Sequence, residues 1–294
     1  MYDVIIIGSG PAGVSAALYT ARAGLSTLVF GLSPGALAGA PSIENYYGLS
    51  APLSGTELHE IGLRQLAAVG AALRTEEAVG LRYGDGPAAS FVVDTTKDGQ
   101  TAAYEAKAVI LAAGNVRKTL QLPGLSALEG KGVSYCAVCD GFLFRGKRVA
   151  VLGNGAYAAH EAAYLTGLAG TTYLLTNGLA PEAEPPEGVI LEAGSITALK
   201  GETRLEEVVF ADGTALPVDG LFVALGTASS ADFAVKLGVL SEKGQIVTDK
   251  DQQTNVPGVF AAGDCAIGIN QVSVAVGQGA VAGLAAVRYC KAHG

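Results

Sequence analysis

The sequence is poor in the residues that build disulfide scaffolds and structural metal sites. It has four cysteines among 294 residues, three histidines and no tryptophan. Four cysteines are too few for a disulfide-stapled fold of this length. Two of them form a CxxC pair at Cys136 and Cys139, but a zinc site usually needs a second such pair or two histidines close in sequence. The histidines are scattered, so we predict no metal site.

Positive charge is also scarce. The chain has 19 lysines and arginines against 27 acids, which gives a net charge of −8. A field of this sign disfavours nucleic acid and anionic membranes as partners. No purely apolar stretch of about 18 residues is present that could span a bilayer. The first residues carry an acid and no basic region of a targeting signal. The sequence therefore predicts a cytoplasmic protein.

A glycine-rich loop near the N-terminus gives the first positive signal. Residues 4–7 form a continuous apolar run, which is typical of a strand buried on both faces. Gly8, Gly10 and Gly13 follow as GxGxxG and open a helix. The first glycine permits the tight turn, the second lets the backbone approach a pyrophosphate, and the third lets the helix pack on the strand. The pattern predicts a dinucleotide-binding unit.

A second unit of the same kind begins in the middle of the chain. Residues 149–152 predict a strand, and residues 172–175 predict the strand after the next helix. Between them, Gly153, Gly155 and Ala158 form GxGxxA, an accepted variant of the motif.

The order of these patterns predicts one nucleotide domain interrupted by another. The first domain covers 1–114 and 227–294, and the inserted domain covers 115–226. The fold class is α/β, with two doubly wound dinucleotide-binding (Rossmann-like, three-layer) domains. The remaining patterns are an added β element near 79–106 with hairpin turns at 84–86 and 98–99, a core strand at 108–114, a short strand at 259–262 and a buried small-residue helix from Val272 to Val287.

Six ordered motifs together resemble the low-molecular-weight thioredoxin reductases. The motifs are GSGPAG (8–13), IENYYG (43–48), LAAG (111–114), CAVCDGFLFRGKRVAVLGNG (136–155), LFVALG (221–226) and TNVPGVFAAGDC (254–265). The most specific feature is CxxCDG placed just before the second glycine loop. The resemblance covers nearly the whole chain. It implies a homodimeric FAD flavoprotein that reduces the disulfide of a thioredoxin-like protein.

The resemblance also implies which residues hold FAD. Asn45 contacts the flavin side, Asp264 binds the ribityl chain, and Gln271 lies with Val272 beside the pyrimidine ring. The full set of expected cofactor-binding residues is Gly8, Gly10, Pro11, Ala12, Gly13, Asn45, Gly114, Gly263, Asp264, Gln271 and Val272.

The same resemblance assigns roles around the CxxC pair. It implies that Cys139 exchanges electrons with the flavin, that Cys136 attacks the partner's disulfide, and that Asp140 manages protons. Disulfide exchange needs a deprotonated attacking sulfur. A helix starting at the pair would favour the thiolate. A buried structural disulfide is the alternative interpretation. Cys265 and Cys290 are expected to fill core positions.

The second glycine loop departs from the family pattern. The family has arginines after the next strand to bind the 2′-phosphate of NADPH, whereas this chain has Thr176 and Asn177. Three acids and no base follow, at Glu182, Glu184 and Glu187. A phosphate would meet repulsion there and no charged donor. We predict that ordinary NADPH use is lost; the alternative is weak NADPH or NADH binding through 153–158 alone.

Relatives without these arginines suggest other electron routes. Some resemble ferredoxin-dependent flavin thioredoxin reductases, which makes ferredoxin a candidate donor. Others resemble dithiol oxidases, which form disulfides and pass electrons to oxygen. A third set carries an additional flavin, on which Tyr157 could stack, although a core aromatic is the favoured role. A flavin-bound redox sensor is a further alternative, but a sensor has no need of Asp140.

Basic residues are concentrated around the CxxC pair. Between 117 and 148 six bases face two acids, Glu129 and Asp140. The bases are Arg117, Lys118, Lys131, Arg145, Lys147 and Arg148. If these bases lie on one face of the protein, they would steer an acidic protein towards the redox pair. Ferredoxins and many thioredoxins are acidic. The alternative is a solvated rim.

Overall fold

The structure is a computed structural model that describes residues 1–85, 90–114 and 120–293. The strands are β1 (Tyr2–Ile7), β2 (Thr27–Phe30), β3 (Ala72–Arg74), β4 (Glu77–Tyr83), β5 (Phe91–Lys97), β6 (Gln100–Leu111), β7 (Val133–Ser134), β8 (Arg148–Leu152), β9 (Thr171–Leu175), β10 (Val189–Glu192), β11 (Ile196–Lys200), β12 (Glu207–Phe210), β13 (Ala215–Pro217), β14 (Gly220–Val223), β15 (Ser241–Glu242), β16 (Gln245–Ile246) and β17 (Val259–Ala261). The α-helices are α1 (Pro11–Arg22), α2 (Gly55–Ala68), α3 (Ala137–Asp140), α4 (Ala156–Thr166), α5 (Ser230–Lys236) and α6 (Val272–Ala292).

The chain divides into two compact units. Unit 1 comprises Met1–Val116 and Ser229–Gly294, and unit 2 comprises Arg117–Ala228. Two bases of the predicted cluster, Arg117 and Lys118, lie outside the described residues, as does Gly86 of the predicted first hairpin turn.

Unit 1 is built on a mixed sheet with strand order β3-β2-β1-β6-β5-β4, and β17 pairs with β6. Strands β3, β2, β1, β6 and β17 run parallel. Strand β6 is long enough to serve two neighbours in succession, because residues 100–106 pair antiparallel with β5 and residues 106–111 pair parallel with β1. The predicted β element is therefore the β4–β5–β6 meander. Its second turn lies at Asp98 and Gly99, which both have positive φ, as a tight hairpin requires.

Small residues bring helices α1 and α6 into close contact. Gly279 lies against the backbone of Ala12, and Gly283 lies against Ala16. The Ser15 hydroxyl donates to the Val276 carbonyl at 2.7 Å. The buried apolar residues 4–7 of β1 and 108–111 of β6 supply the core beneath the two helices.

Helix α6 is long and apolar enough to cross a membrane. Its packing against α1 and against β6 instead identifies it as a core helix of unit 1, as the run of small residues predicts.

Unit 2 contains a parallel sheet with order β10-β9-β8-β14-β7 and a separate antiparallel sheet with order β11-β12-β13. Helix α4 connects β8 to β9, which gives the predicted strand, glycine turn, helix and strand. The buried side chains of β8 and β14 form the centre of the apolar core. Because the sheet is parallel, the loops after β7, β8 and β14 all leave from its carboxyl edge.

Candidate functional site

Several predicted cofactor residues of unit 1 follow the carboxyl ends of the parallel strands of its sheet. The register pairs Ile7 with Leu111, and Leu111 with Ala261. The loops after β1, β6 and β17 therefore start at the same level. They carry Gly8, Gly114 and Asp264 respectively. Ligands of doubly wound sheets bind outside this carboxyl edge.

The glycines of the first loop each have a steric reason. Gly8 has a φ of 117°, and a side chain there would meet the backbone of Ala112 and Ala113. A side chain at Gly13 would meet the carbonyl of Gly8, so the helix could not approach the strand. Gly10 differs, since no atom of the described residues lies within 4 Å of the position of its absent Cβ. That face of the loop is open to a ligand.

Helix α1 begins at this open face. Gly10 is its N-cap and Pro11 is its first residue. No side chain caps the N-terminus within the described residues, and its first turn carries no acid. The free N–H groups of such a turn bind anions. The loop therefore fits the pyrophosphate of a dinucleotide such as FAD.

Other expected cofactor residues are brought to the same region. The Asn45 side chain donates to the Gln271 side chain at 3.1 Å, although 226 residues separate them. Val272 is the first residue of α6. Gly263 has a φ of 81°, and a side chain there would meet the Ala12 methyl group. Part of the predicted set is thus assembled from four separate parts of the chain.

One residue of this region was not identified from the sequence. The Gln278 side chain accepts from the Gly263 N–H at 2.8 Å and so fixes the turn that carries Asp264. A polar residue within the small, apolar run of α6 was the available signal.

The CxxC pair lies at the carboxyl edge of the sheet in unit 2. Cys136 and Cys139 form a disulfide with a Cα–Cα distance of 5.3 Å. They follow the edge strand β7, and Cys136 is the N-cap of the short helix α3. The Cys139 N–H donates to the Cys136 sulfur at 3.1 Å. A donor in this position stabilises a thiolate at Cys136.

Ser134 connects the disulfide to the neighbouring acid. Its hydroxyl donates to Asp140 at 2.6 Å and accepts from the Cys136 N–H at 3.1 Å. Sequence reasoning missed this residue; its signal was a polar side chain in a buried strand two residues before Cys136. Asp140 is thereby held beside the redox pair, which is the position that proton transfer requires.

A second acid supports the pair from α4. Glu161 is 2% exposed, and its carboxylate accepts from the Ala137 N–H at 3.1 Å. The helix that follows the glycine loop is in this way linked to the helix that carries the cysteines.

The disulfide is only partly accessible. Cys136 is 4% exposed, whereas the apolar side chains next to the pair are open to solvent. These are Val138, Phe142 and Leu143, at 44%, 61% and 54% exposure. A cavity of about 670 Å³ lies nearby and is lined by residues that include Tyr135 but not Cys136.

The remaining cysteines and Tyr157 occupy core positions. Cys265 and Cys290 are free and buried, and burial raises the pKa of each thiol to about 11. They are therefore poor nucleophiles. Tyr157 is 2% exposed, so its ring fills the core and does not offer a stacking surface for a second flavin.

Comparison with known proteins agrees with this arrangement. The family model described as pyridine nucleotide-disulphide oxidoreductase matches residues 2–279. A thioredoxin reductase of Listeria innocua is 34% identical over 98% of this chain and 94% of its own.

Two solved structures extend the comparison to the fold. The atypical thioredoxin reductase TRi from Desulfovibrio vulgaris Hildenborough gives a TM-score of 0.92 at 43% identity, over 99% of both chains. A ferredoxin-flavin thioredoxin reductase from Clostridium acetobutylicum gives 0.70 at 34% identity, over 98% of this chain and 97% of that chain. The predicted two-domain dinucleotide-binding α/β fold is confirmed. The chain therefore belongs to the thioredoxin reductases within the pyridine nucleotide-disulphide oxidoreductase family.

Proposed function

We propose that this protein is an FAD-dependent enzyme that reduces the disulfide of a thioredoxin-like protein through Cys136 and Cys139. The observation that carries the proposal is the Cys136–Cys139 disulfide, with Asp140 fixed beside it by Ser134. The relatives are named thioredoxin reductases, which favours a reductase over a dithiol oxidase.

FAD fits unit 1, which we propose as the FAD-binding domain, with unit 2 as the inserted NAD(P)H-binding-like domain. Gly8, Gly10 and Gly13 would hold the pyrophosphate on the open face of the first loop. Asp264 would bind the ribityl chain, and the Asn45–Gln271 pair would lie on the flavin side. When bound, FAD supplies the two electrons that reduce the disulfide of unit 2.

The cysteines carry these electrons onward by two exchanges. Reduction breaks the S–S bond and leaves two sulfurs, and the Cys139 N–H favours the thiolate at Cys136. This thiolate attacks the partner's disulfide, forms a mixed disulfide and releases one partner thiolate. Cys139 then attacks the Cys136 sulfur, which restores the internal disulfide and releases the partner as a dithiol. Asp140 holds the proton that is exchanged in these steps.

The partner must reach a sulfur that is buried in the oxidised protein. Cys136 is 4% exposed, so the reaction requires a rearrangement that uncovers it. The exposed side chains of Phe142 and Leu143 offer an apolar contact next to the pair, and the exposed bases Arg145 and Lys147 lie at its border. Such a surface suits an acidic partner with an apolar patch around its own disulfide.

We propose that the electron donor is not NADPH and that ferredoxin is the candidate. The segment after β9 supplies Glu182, Glu184 and Glu187 and no base, so a 2′-phosphate has no charged partner there. A ferredoxin-flavin thioredoxin reductase is among the structural relatives. We further propose a cytoplasmic homodimer, in line with the family resemblance.

The test is an anaerobic absorbance titration of the FAD-loaded protein. NADPH, NADH and reduced ferredoxin are added in turn while the oxidised flavin band is followed, with thioredoxin then added and its thiols counted. We expect bleaching by ferredoxin alone, followed by thioredoxin reduction. A Cys136→Ser variant should still bleach but should reduce no thioredoxin. Bleaching of the flavin band by NADPH at about 10⁻⁶ M, which is within the ordinary range of KM values, would refute the proposal that NADPH is not the donor. Bleaching without thioredoxin reduction would refute the proposed acceptor.

A further inference from the structure

The two glycine loops differ in what lies against their second glycine. This glycine is the position at which the backbone of a dinucleotide-binding loop approaches the pyrophosphate. At Gly10 no described atom lies within 4 Å of the absent Cβ. At Gly155 the same position lies 3.6 Å from the Glu182 carboxylate and 3.6 Å from the Gly226 carbonyl. The second loop therefore faces an acid of the chain itself.

Glu182 is held there by backbone contacts. Its N–H donates to the Asn154 carbonyl at 2.7 Å, inside the GxGxxA loop. The Asn154 side chain donates back to the Ala180 carbonyl at 3.1 Å. These two bonds tie residues 176–182, which we call the strap, to the glycine loop.

Backbone hydrogen bonds hold the strap in a defined turn. The Leu179 N–H donates to the Thr176 carbonyl at 3.1 Å, and the Gly178 N–H donates to the Ala193 carbonyl at 3.0 Å. Asn177 and Gly178 both have positive φ, at 53° and 80°. The course of the strap over the loop is thus fixed at both of its ends.

The strap also withholds the polar groups that a ribose would need. The end of the second strand is where a dinucleotide's ribose hydroxyls are normally bound. Here Thr176 is 1% exposed, and the Asn177 side-chain oxygen accepts from the Ile196 N–H at 2.7 Å. The acceptor oxygen of Asn177 is therefore already engaged, and the Thr176 hydroxyl is buried.

We propose that the Glu182 carboxylate occupies the position where the diphosphate of a dinucleotide would bind. Its negative charge there excludes pyridine nucleotides from this enzyme. This inference rests on the proposed function and deepens its claim about the donor. Loss of the phosphate-binding arginines only removes attraction. The carboxylate adds repulsion at the α4 N-terminus, which would otherwise favour a diphosphate. A diphosphate with two negative charges about 5 Å from a carboxylate in water loses about tenfold in affinity.

The experiment measures binding of ADP-ribose, which carries the diphosphate but no nicotinamide and cannot reduce the flavin. Calorimetric titrations at low salt use the full FAD-loaded chain, so that the first loop is already filled. The variants are Glu182→Gln and the matched control Glu187→Gln, which removes the same charge from the same segment. Asn154→Ala provides a second route, because it removes one of the two bonds that hold the strap.

We expect Glu182→Gln to bind ADP-ribose about tenfold more tightly than the wild type, or to bind where the wild type shows no binding. The gain should shrink as salt is added, because added ions screen the repulsion. Asn154→Ala should also bind more tightly. Glu187→Gln should stay within about twofold of the wild type, because Glu182 and not Glu187 lies within 4 Å of the Gly155 Cβ position.

Equal affinities for Glu182→Gln and Glu187→Gln would overturn the inference, as would an absence of binding in all variants. Either result, obtained while ferredoxin still drives thioredoxin reduction, leaves the proposed function standing. Conversely, flavin bleaching of the wild type by NADPH would refute the proposed donor and this inference together.

Discussion

A substitution in helix α6 tests whether the packing of α1 on α6 follows the contacts described. In the middle of an exposed helix, replacing glycine by alanine stabilises by up to about 1 kcal/mol through propensity alone. At Gly279 the new methyl group would lie 2.9 Å from the carbonyl carbon of Ala12 and 3.0 Å from its Cα. Backbone atoms cannot rotate away, so the helices must separate. Such overpacking costs about 1–3 kcal/mol.

The chain provides a matched control two residues earlier. Gly277 lies in the same helix, and no described atom lies within 4 Å of its absent Cβ. Gly277→Ala should gain only the stabilisation of up to about 1 kcal/mol that comes from helix propensity. The difference between the two variants therefore isolates the contact, at about 1–3 kcal/mol in favour of Gly277→Ala.

Thermal unfolding of the FAD-loaded protein, followed by circular dichroism, measures this difference. In a protein of about this size each kcal/mol shifts Tm by about 2–4 °C. Gly279→Ala should also bind FAD less tightly, because Ala12 belongs to the first glycine loop. A Gly279→Ala protein as stable as Gly277→Ala would show that α1 and α6 do not approach each other as closely as described.

Three further predictions concern the redox site, the cofactor loop and the buried thiols. Ser134→Ala should slow thioredoxin reduction by roughly ten- to a hundredfold in steady-state assays, because a hydrogen bond to a carboxylate contributes about 1.5–3 kcal/mol; an unchanged rate would exclude a role for the Ser134–Asp140 contact. Gly10→Ala should leave the Tm of the FAD-free protein unchanged, because no described atom lies within 4 Å of the absent Gly10 Cβ. The same variant should bind FAD more weakly in fluorescence titrations, because the new methyl group lies where the cofactor approaches the loop. The pKa values of Cys265 and Cys290 are raised by burial from 9.0 to about 11, so their contribution to stability is complete below pH 9.0 and is lost as pH rises through 11. Denaturant titrations from pH 8 to 11 (a range set by ordinary thiol pKa values of about 8.5) should show this decline, and it should be flatter in a variant with alanine at both positions.

The roles assigned to individual cofactor residues follow from the family resemblance, and the geometry supports them unequally. The hydrogen bond between Asn45 and Gln271 joins two residues that the motifs alone could only name separately. Gly114 has a φ of 71°, which explains the glycine but adds no contact among the described residues. Mutating Asn45 and Gln271 singly and together would show whether they act on FAD as a pair.

Local patterns in the sequence determined the two glycine loops and the strands beside them. Such units depend on short-range rules, because a buried parallel strand must be apolar throughout and a tight turn into a helix must contain glycine. The pairing of Cys136 with Cys139 was equally local, since two cysteines three residues apart at a helix start can form a disulfide with each other. The deficit of basic residues after β9 was visible in the same way.

The tertiary structure alone decided which distant groups meet. It brought Ser134 to Asp140 and the buried Glu161 to the helix that carries the cysteines, through hydrogen bonds that no local pattern encodes. It also buried Tyr157, and it returned Glu182 to Gly155 by way of a turn that is held by hydrogen bonds to the backbone and side chain of Asn154. The sequence by itself showed that basic residues are missing from the segment after β9. The fold showed that the Glu182 carboxylate of this segment lies against the second glycine loop, because only folding determines which residues share the same space.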